Sequence, residues 1–301
     1  MELYDWMVKY TPQAEWIERR GILLWLAFFF IELGAGMFFI ASFFHNLTAM
    51  TAGWLVCAVL GGGLHFVFLG HPARVWRMVL SSGWTSSWIS RGLIFVVLFL
   101  VLGLACIALS FRTSPPVALL AAADIFAFLT IIYGGFAMNY INGIPLWNTA
   151  LLPVLYLISG LWGGAEVTLG ITMAGAGSGN GAAIEEWIRV LLIGFLLLIP
   201  VYLISVRYTS LTGQASVKSM VLGKWAYQFW IAVVLVGMVI PLLAVINSFF
   251  SSPEAAPVAL LYGAIFCGLL GDLAMRYLIL RCGMYSPLIP SSTGSAVSMP
   301  G

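Results

Sequence analysis

Six ionisable or phenolic residues stand inside long apolar runs of this chain and could do chemistry there: Glu32, His65, Asp124, Tyr133, Glu166 and Asp272, with Asn139 as a neutral hydrogen-bonding neighbour. An ionisable group in hydrocarbon is costly unless it is paired or hydrated, so each marks a site by default. Carboxylates, imidazole and phenol are the groups that give and take protons. At a rise of about 1.5 Å per residue, His65, Tyr133 and Asp272 fall in one half of the membrane. Glu32 falls near its middle, and Asp124 and Glu166 fall in the other half. Glu32, Asp124 and Glu166 together read as a broken proton path. Asp272 has a ready partner in Arg276, four residues on, whereas no Lys or Arg lies at the depth of Glu32, which therefore reads as unpaired.

The elements that must carry these groups follow from composition. The 301 residues are 62% hydrophobic and only 8% charged. A soluble chain carries about a quarter charged residues, so a water-solvated surface of ordinary size is excluded, as is disorder. Thirteen Lys and Arg against eleven Asp and Glu leave +2, too little for a nucleic-acid interface. Apolar runs at 21–44, 50–69, 91–111, 116–139, 148–174, 187–207, 226–250 and 256–280 are each long enough to cross a bilayer as a helix. They lack the alternation of barrel strands. The expectation is an all-α integral membrane protein of eight crossings, with a polar segment 1–20 before them and a tail 281–301 after them.

Details of the runs agree. Most prolines fall at run ends, while Pro153, Pro200 and Pro241 lie inside crossings and are expected to kink them. Trp25, Trp88, Trp147, Trp187 and Trp225 sit near run ends, as an interfacial belt would place them. Gly34-Ala35-Gly36, Gly61-Gly62-Gly63, Gly160 and Gly164 allow close helix approach. With eight crossings the termini share a face. That face receives eleven of the thirteen cations: Lys9, Arg19, Arg20, Arg74, Arg77, Arg91, Arg207, Lys218, Lys224, Arg276 and Arg281. Only Arg112 and Arg189 fall opposite, so the positive-inside rule puts both termini in the cytoplasm.

Several chemistries are set aside by spacing. A membrane haem of b type usually takes two histidines facing each other at one depth, and only His65 lies well inside, with His45 at an outer helix end and His71 in a loop. Cys57, Cys106, Cys267 and Cys282 have no CxxC spacing and read as small buried hydrophobes, not cluster or metal ligands. Arg19-Arg20 precedes a run of full membrane length without a small-residue cleavage site, which argues against an export signal. The Gly-rich stretch 175–181, with Gly177-Ser178-Gly179, follows a membrane helix rather than a strand, and reads as an outer loop, not a phosphate cradle. Without haem, metal or clusters of its own, the chain needs an external electron donor or acceptor beside a bound two-electron carrier if its role is redox.

Five segments, in order, resemble the NrfD/PsrC-like family, the membrane subunits of polysulfide reductase and related molybdenum–iron–sulfur complexes. They are FFFIELGAGMFF (28–39), LHFVFLGHPARVWRM (64–78), TSSWISRG (85–92), IIYGGFAMNYINGIPLWNTALLPVLYLISGLWGG (131–164) and GDLAMRYLILRCGMY (271–285). The resemblance implies two four-helix bundles without haem or bound metal. It implies a menaquinone or ubiquinone at the membrane edge, a four-cluster ferredoxin-like iron–sulfur subunit docked there, and a molybdopterin subunit beyond it, with membrane lipid around. Tyr133 matches the tyrosine of the fourth-helix motif, which resembles a quinone-carbonyl partner. Some members carry a histidine early in helix 1, where this chain has Ala27. Glu32 and His65 are then the further candidates for quinone proton transfer and contact, and Asn139 for contact, although Asn139 and Asn142 equally suit the capping of a helix end. Arg74, Arg77 and Arg91 match a basic loop that could dock the iron–sulfur subunit or anionic lipid. The membrane expected is the inner membrane of a prokaryote, and if the partner sits on that basic face, the partner is cytoplasmic. Two other readings stay open: a proton or ion transporter using Glu32, Asp124 and Glu166, and a passive anchor.

Overall fold

A computed structural model describes residues 5–80, 85–176, 180–250 and 258–289. Gly177, Ser178 and Gly179 of the Gly-rich stretch and positions 290–301 of the tail lie outside the described residues. Among the described residues, eight helices are long and apolar enough to cross a membrane. In chain order they are α1 (Gly21–Phe43), α2 (Leu47–Phe68), α3 (Trp88–Ser110), α4 (Val117–Asn139), α5 (Leu151–Met173), α6 (Gly181–Thr209), α7 (Gln228–Asn247) and α8 (Ala259–Arg281). In hydrocarbon every backbone polar group must be satisfied within its own segment, and the helix is what does this for a single run.

The ends follow local chemistry. Asn46, Ser87 and Asn180 cap α2, α3 and α6 by accepting from Ala49, Ser90 and Ala183 N–H. Pro116 stands immediately before α4, where its missing N–H costs nothing. Helix α6 starts six residues before the apolar run that predicts it. Its first turns hold Glu185, Glu186 and Arg189, and the arginine pairs with both acids at 2.7 and 2.6 Å, which hydropathy alone does not register. A short helix, Leu211–Val221, capped by Ser210, lies between α6 and α7 and has no counterpart in the apolar runs.

The packing divides the eight helices into α1–α4 and α5–α8, each around its own apolar core. Helices α1 and α5 are the most buried and join the two groups. Their contact is backbone against backbone: a Cβ on Gly36 would run into Gly160, and one on Gly164 would run into Gly36. Helix α1 also meets α2 closely, with Gly34 against Gly53 and Cys57. Without a hydrophobic force between helices in lipid, such small-residue contacts are what gives membrane helices their packing energy. The four cysteines are all unpaired thiols, three of them buried.

The chain ends are tied together. Thr11–Pro12 pairs antiparallel with Met284–Tyr285. Gln13 N–H bonds the Gly283 carbonyl at 2.9 Å, and the Gln13 amide donates to the Leu280 carbonyl. This strap carries Trp16 across the bundle end. Trp147 departs from the belt expected of it: it is fully buried, and its indole N–H donates to the Ile279 carbonyl at 2.7 Å. The loop after α4 folds inward instead of reaching the interface, so a tryptophan at a run end becomes core.

Candidate functional site

Near the terminal face, α1, α2, α3, α4 and the strap enclose a cavity of about 800 Å³. Its walls are apolar except at one place, where His65 and Tyr133 meet. Tyr133 lies six residues before the end of α4, about 9 Å in, and His65 lies three before the end of α2. Exposed Phe66, Val67, Ile89 and Val97 belong to the same wall, so the cavity runs out between α2 and α3 toward the membrane side of the molecule. Met78, from the short helix Trp76–Leu80, closes its end.

Local backbone explains the pair. The middle of α2, Val56–Gly62, is π-helical, which adds about one residue per turn and rotates the following side chains. Gly62 and Gly63 then face the cavity, and the imidazole of His65 points at Tyr133. The His65 Nδ1 lies 3.2 Å from the Gly61 carbonyl, and its Nε2 lies 3.0 Å from the Tyr133 hydroxyl. A carbonyl only accepts, so Nδ1 carries a hydrogen; in neutral imidazole Nε2 is then an acceptor, and Tyr133 O–H donates to it. In the imidazolium both nitrogens donate, and the Tyr133 hydrogen is free for a group in the cavity. The pair therefore has an accepting and a donating state, differing by one proton.

Aromatic rings hold it in place. Phe28 stands edge-on to His65 with centroids 5.4 Å apart and lies 6.0 Å from Tyr133. Trp16 stacks on Phe28 at 6.3 Å and packs on Trp147 at 5.3 Å. On the far side, Gly92 of α3 leaves room for the Tyr133 ring, since any Cβ there would collide with it. Gly92→Ala is expected to displace the ring at a cost of about 1–3 kcal/mol and to lengthen the bond to Nε2. Nitrogen NMR shifts of the His65 imidazole report this, and shifts identical to wild type would show that the ring has slack.

Glu32 is not in this cavity wall. It is fully buried one layer behind, and its Oε2 accepts from Arg276 Nη1. This corrects the expectation of an unpaired Glu32. The Cα of Arg276 is near the end of α8, but its long side chain reaches inward to the depth of Glu32. Arg276 is 2% exposed and also bonds Asp272 Oδ2 at 3.0 Å, the pairing expected from the sequence, and Ser159 Oγ. Its guanidinium lies over Tyr156, 4.5 Å from the ring centroid. Arg276 thus leaves the count of surface cations, and the terminal face keeps ten.

The remaining candidates are dispersed. Glu166 is buried against Gly268 of α8, and its Oε2 has no hydrogen-bond partner among the described residues. Asp124 lies beside Ser42 and Cys106. Asn139 stands outside the cavity wall. Its carbonyl accepts from Asn148 Nδ2 at 2.7 Å, and Asn148 also bonds Asn142, so these asparagines tie down the loop after α4. Arg74 and Arg77 are exposed on the loop after α2, Arg77 over Trp76. Arg91 lies over Trp88 at 4.9 Å and donates to the Thr85 carbonyl. Trp16, Phe28 and Gly92 are not legible as parts of the site, because they meet His65 and Tyr133 from distant parts of the chain, and Arg276 is legible only as the partner of Asp272.

Comparison with known proteins bears on this architecture. The protein is 26% identical over 260 residues to Protein NrfD of Escherichia coli K12, covering 75% of this chain and 79% of that protein. It is 26% identical over 155 residues to the NrfD homolog of Haemophilus influenzae, covering 50% of this chain and 48% of that protein. The family profile described as "Polysulphide reductase, NrfD" matches residues 19–287, nearly all of the described helices and the paired strand at the end. An eight-helix integral membrane protein matched over that length belongs to the polysulphide reductase NrfD family.

Proposed function

We propose that this protein is the quinone-binding membrane anchor of an oxidoreductase complex and exchanges reducing equivalents between an iron–sulfur subunit and the quinone pool. The observation that carries the reading is the cavity: large, apolar, open between two helices, with one proton-exchanging pair at its inner end. That composition suits a ring with polar oxygens on a long apolar tail, menaquinone or ubiquinone. Tyr133 and His65 would hold the ring oxygen, Trp16 and Phe28 would offer ring faces, and the wall of Leu93, Val97 and Leu100 would take apolar tail. Bound there, a quinone supplies reversible two-electron, two-proton chemistry that the side chains of this chain lack.

The residues' own part is proton handling. With His65 neutral, Tyr133 O–H points to Nε2, and the phenol oxygen has a lone pair to accept a proton-bearing hydroxyl from the cavity. With His65 protonated, the phenol becomes a donor to a carbonyl. Taking up a proton on the imidazole therefore switches the site from suiting the reduced ligand to suiting the oxidised one. The Gly61 carbonyl keeps the ring from flipping between tautomers.

The electrons come from or go to a partner, a four-cluster ferredoxin-like subunit with a molybdopterin catalytic subunit beyond it. Arg74, Arg77 and Arg91 are proposed as its docking surface, since they flank the cavity end. The ten cations of the terminal face against Arg112 and Arg189 support cytoplasmic termini and a cytoplasmic partner at the inner membrane.

The test uses the full chain in lipid nanodiscs with short-tailed naphthoquinone and benzoquinone analogues, read by quenching of tryptophan fluorescence. Saturable quenching is expected, reduced in amplitude by Trp16→Phe. Tyr133→Phe should weaken binding by about fivefold, the worth of one hydrogen bond of about 1 kcal/mol. Quenching that rises without saturation and is the same in both variants would show simple partitioning into lipid.

A further inference from the structure

Behind the cavity a line of charged groups continues into the membrane. On α8, Gly268, Asp272 and Arg276 fall four residues apart on one face, each step about 6 Å. Glu166 of α5 lies against Gly268, and Asp272 bonds Arg276. Arg276 bonds Glu32 of α1, and Glu32 Oε1, which has no hydrogen-bond partner among the described residues, lies against Gly134, the residue after Tyr133. By contact the order is therefore Glu166, Asp272, Arg276, Glu32, and then the Tyr133–His65 pair, with Glu166 the member nearest the far side. The guanidinium stands at the depth of Glu32, the middle residue of α1, where the two helix groups meet. Phe29 and Tyr156 rings flank it.

Such a row invites reading as a path for protons, but its middle member cannot serve in one. A carboxylate takes a proton and passes it on. A guanidinium has five N–H donors and no acceptor, and it stays protonated in proteins. A proton on Asp272 has nowhere to go on Arg276, and Glu32 can receive none from it. The fixed positive charge also repels an approaching proton, as an arginine does in pores that pass water and exclude protons. The groups facing it are Glu32 on α1, Ser159 and Tyr156 on α5, and Asp272 on α8, with Glu166 beyond Asp272.

We propose that Arg276 is a proton barrier: it interrupts the buried column between Asp272 and Glu32, so that protons of the cavity are exchanged only with the face carrying the termini. Glu166 and Asp272 then belong to the opposite side of the barrier, and quinone turnover moves no proton across this chain.

The experiment places the full chain in sealed lipid vesicles holding a pH-sensitive dye and imposes a potassium diffusion potential with valinomycin. The wild-type protein is expected to leave the flux at the level of protein-free vesicles. Arg276→His puts at the same place a group that both accepts and releases protons. It should raise the flux by about tenfold or more, the rate change that each ~1.4 kcal/mol of barrier carries. Arg276→Lys retains a permanent cation and should stay tight. Because a single change here can impair folding, near-ultraviolet circular dichroism identifies folded protein, and Arg276→His is also measured at pH 6, where a protonated imidazole keeps a balancing charge beside Glu32 and Asp272. Proton flux through the wild type would overturn the proposal, as would tight vesicles with folded Arg276→His at both pH values. No quinone enters the measurement, so its outcome is separate from the quinone reading.

Discussion

Replacing Tyr133 by phenylalanine lowers quinone-linked turnover of the assembled complex by about 10²–10⁴-fold, the usual worth of a positioned acid–base group, while the complex still forms and still passes electrons to soluble artificial acceptors. The ring stays in the space that Gly92 leaves for it, so packing against Phe28 is kept. What is lost is the hydroxyl that bonds His65 Nε2 at 3.0 Å and faces the cavity. Without it, the imidazole has no route to the ligand oxygen through the phenol. His65→Gln should give a comparable loss by a different means: the amide can bond the hydroxyl but cannot take its proton. The two losses should not add, since the residues act as a unit. Steady-state kinetics of Tyr133→Phe, His65→Gln and the double variant decide the matter. Strictly multiplicative losses would mean that the pair is not a relay, and normal turnover in either single variant would remove that residue from the site.

The second large effect is on stability. Arg276→Ala leaves Glu32 and Asp272 buried without their cation, and stripping one partner from a buried ion pair destabilises by about 3–5 kcal/mol. Glu32→Gln should be much milder, because the amide oxygen still accepts from Arg276 Nη1 and Asp272 still balances the charge. Combining Glu32→Gln and Asp272→Asn with Arg276→Met should recover most of the loss, since an apolar or neutral replacement of a whole buried cluster is often close to neutral. Thermal unfolding in detergent orders these variants. If Arg276→Ala melts like wild type, the cluster is hydrated in the membrane and the burial described above is not what the protein experiences.

Expectation and structure differ most where side chains from remote segments meet. Eight crossings were legible because about 20 apolar residues in a row have one solution in a bilayer, and seven runs match their helices to within a few residues. The early start of α6 was hidden because its charges cancel in pairs at neighbouring turns. His65 and Tyr133 stood out singly as polar groups in apolar runs. Their meeting depends on the π-helical turn at Val56–Gly62, which shifts the helical face and leaves no mark in hydropathy. Asn139 suits a ligand contact or a helix end equally by sequence, and in the structure its backbone carbonyl accepts from Asn148 at the end of α4.

The sequence by itself determined the solvent, the number of crossings, their shared terminal face, and which residue types had to be special, because the cost of a polar group in hydrocarbon depends on the group and not on its neighbours. Only the tertiary structure decided which special residues serve together. It gave Glu32 to Arg276, although their Cα atoms enter the membrane at different depths, because an arginine side chain spans more than one helical turn. It gave Tyr133 to His65, because α2 and α4 both pack closely on α1, Gly61 against Ile31 and Gly134 against Glu32, which brings distant turns to one level. Depth along a helix is set by counting residues; the partner across the gap is set by side-chain reach and by helix rotation, and neither is written in the order of the chain.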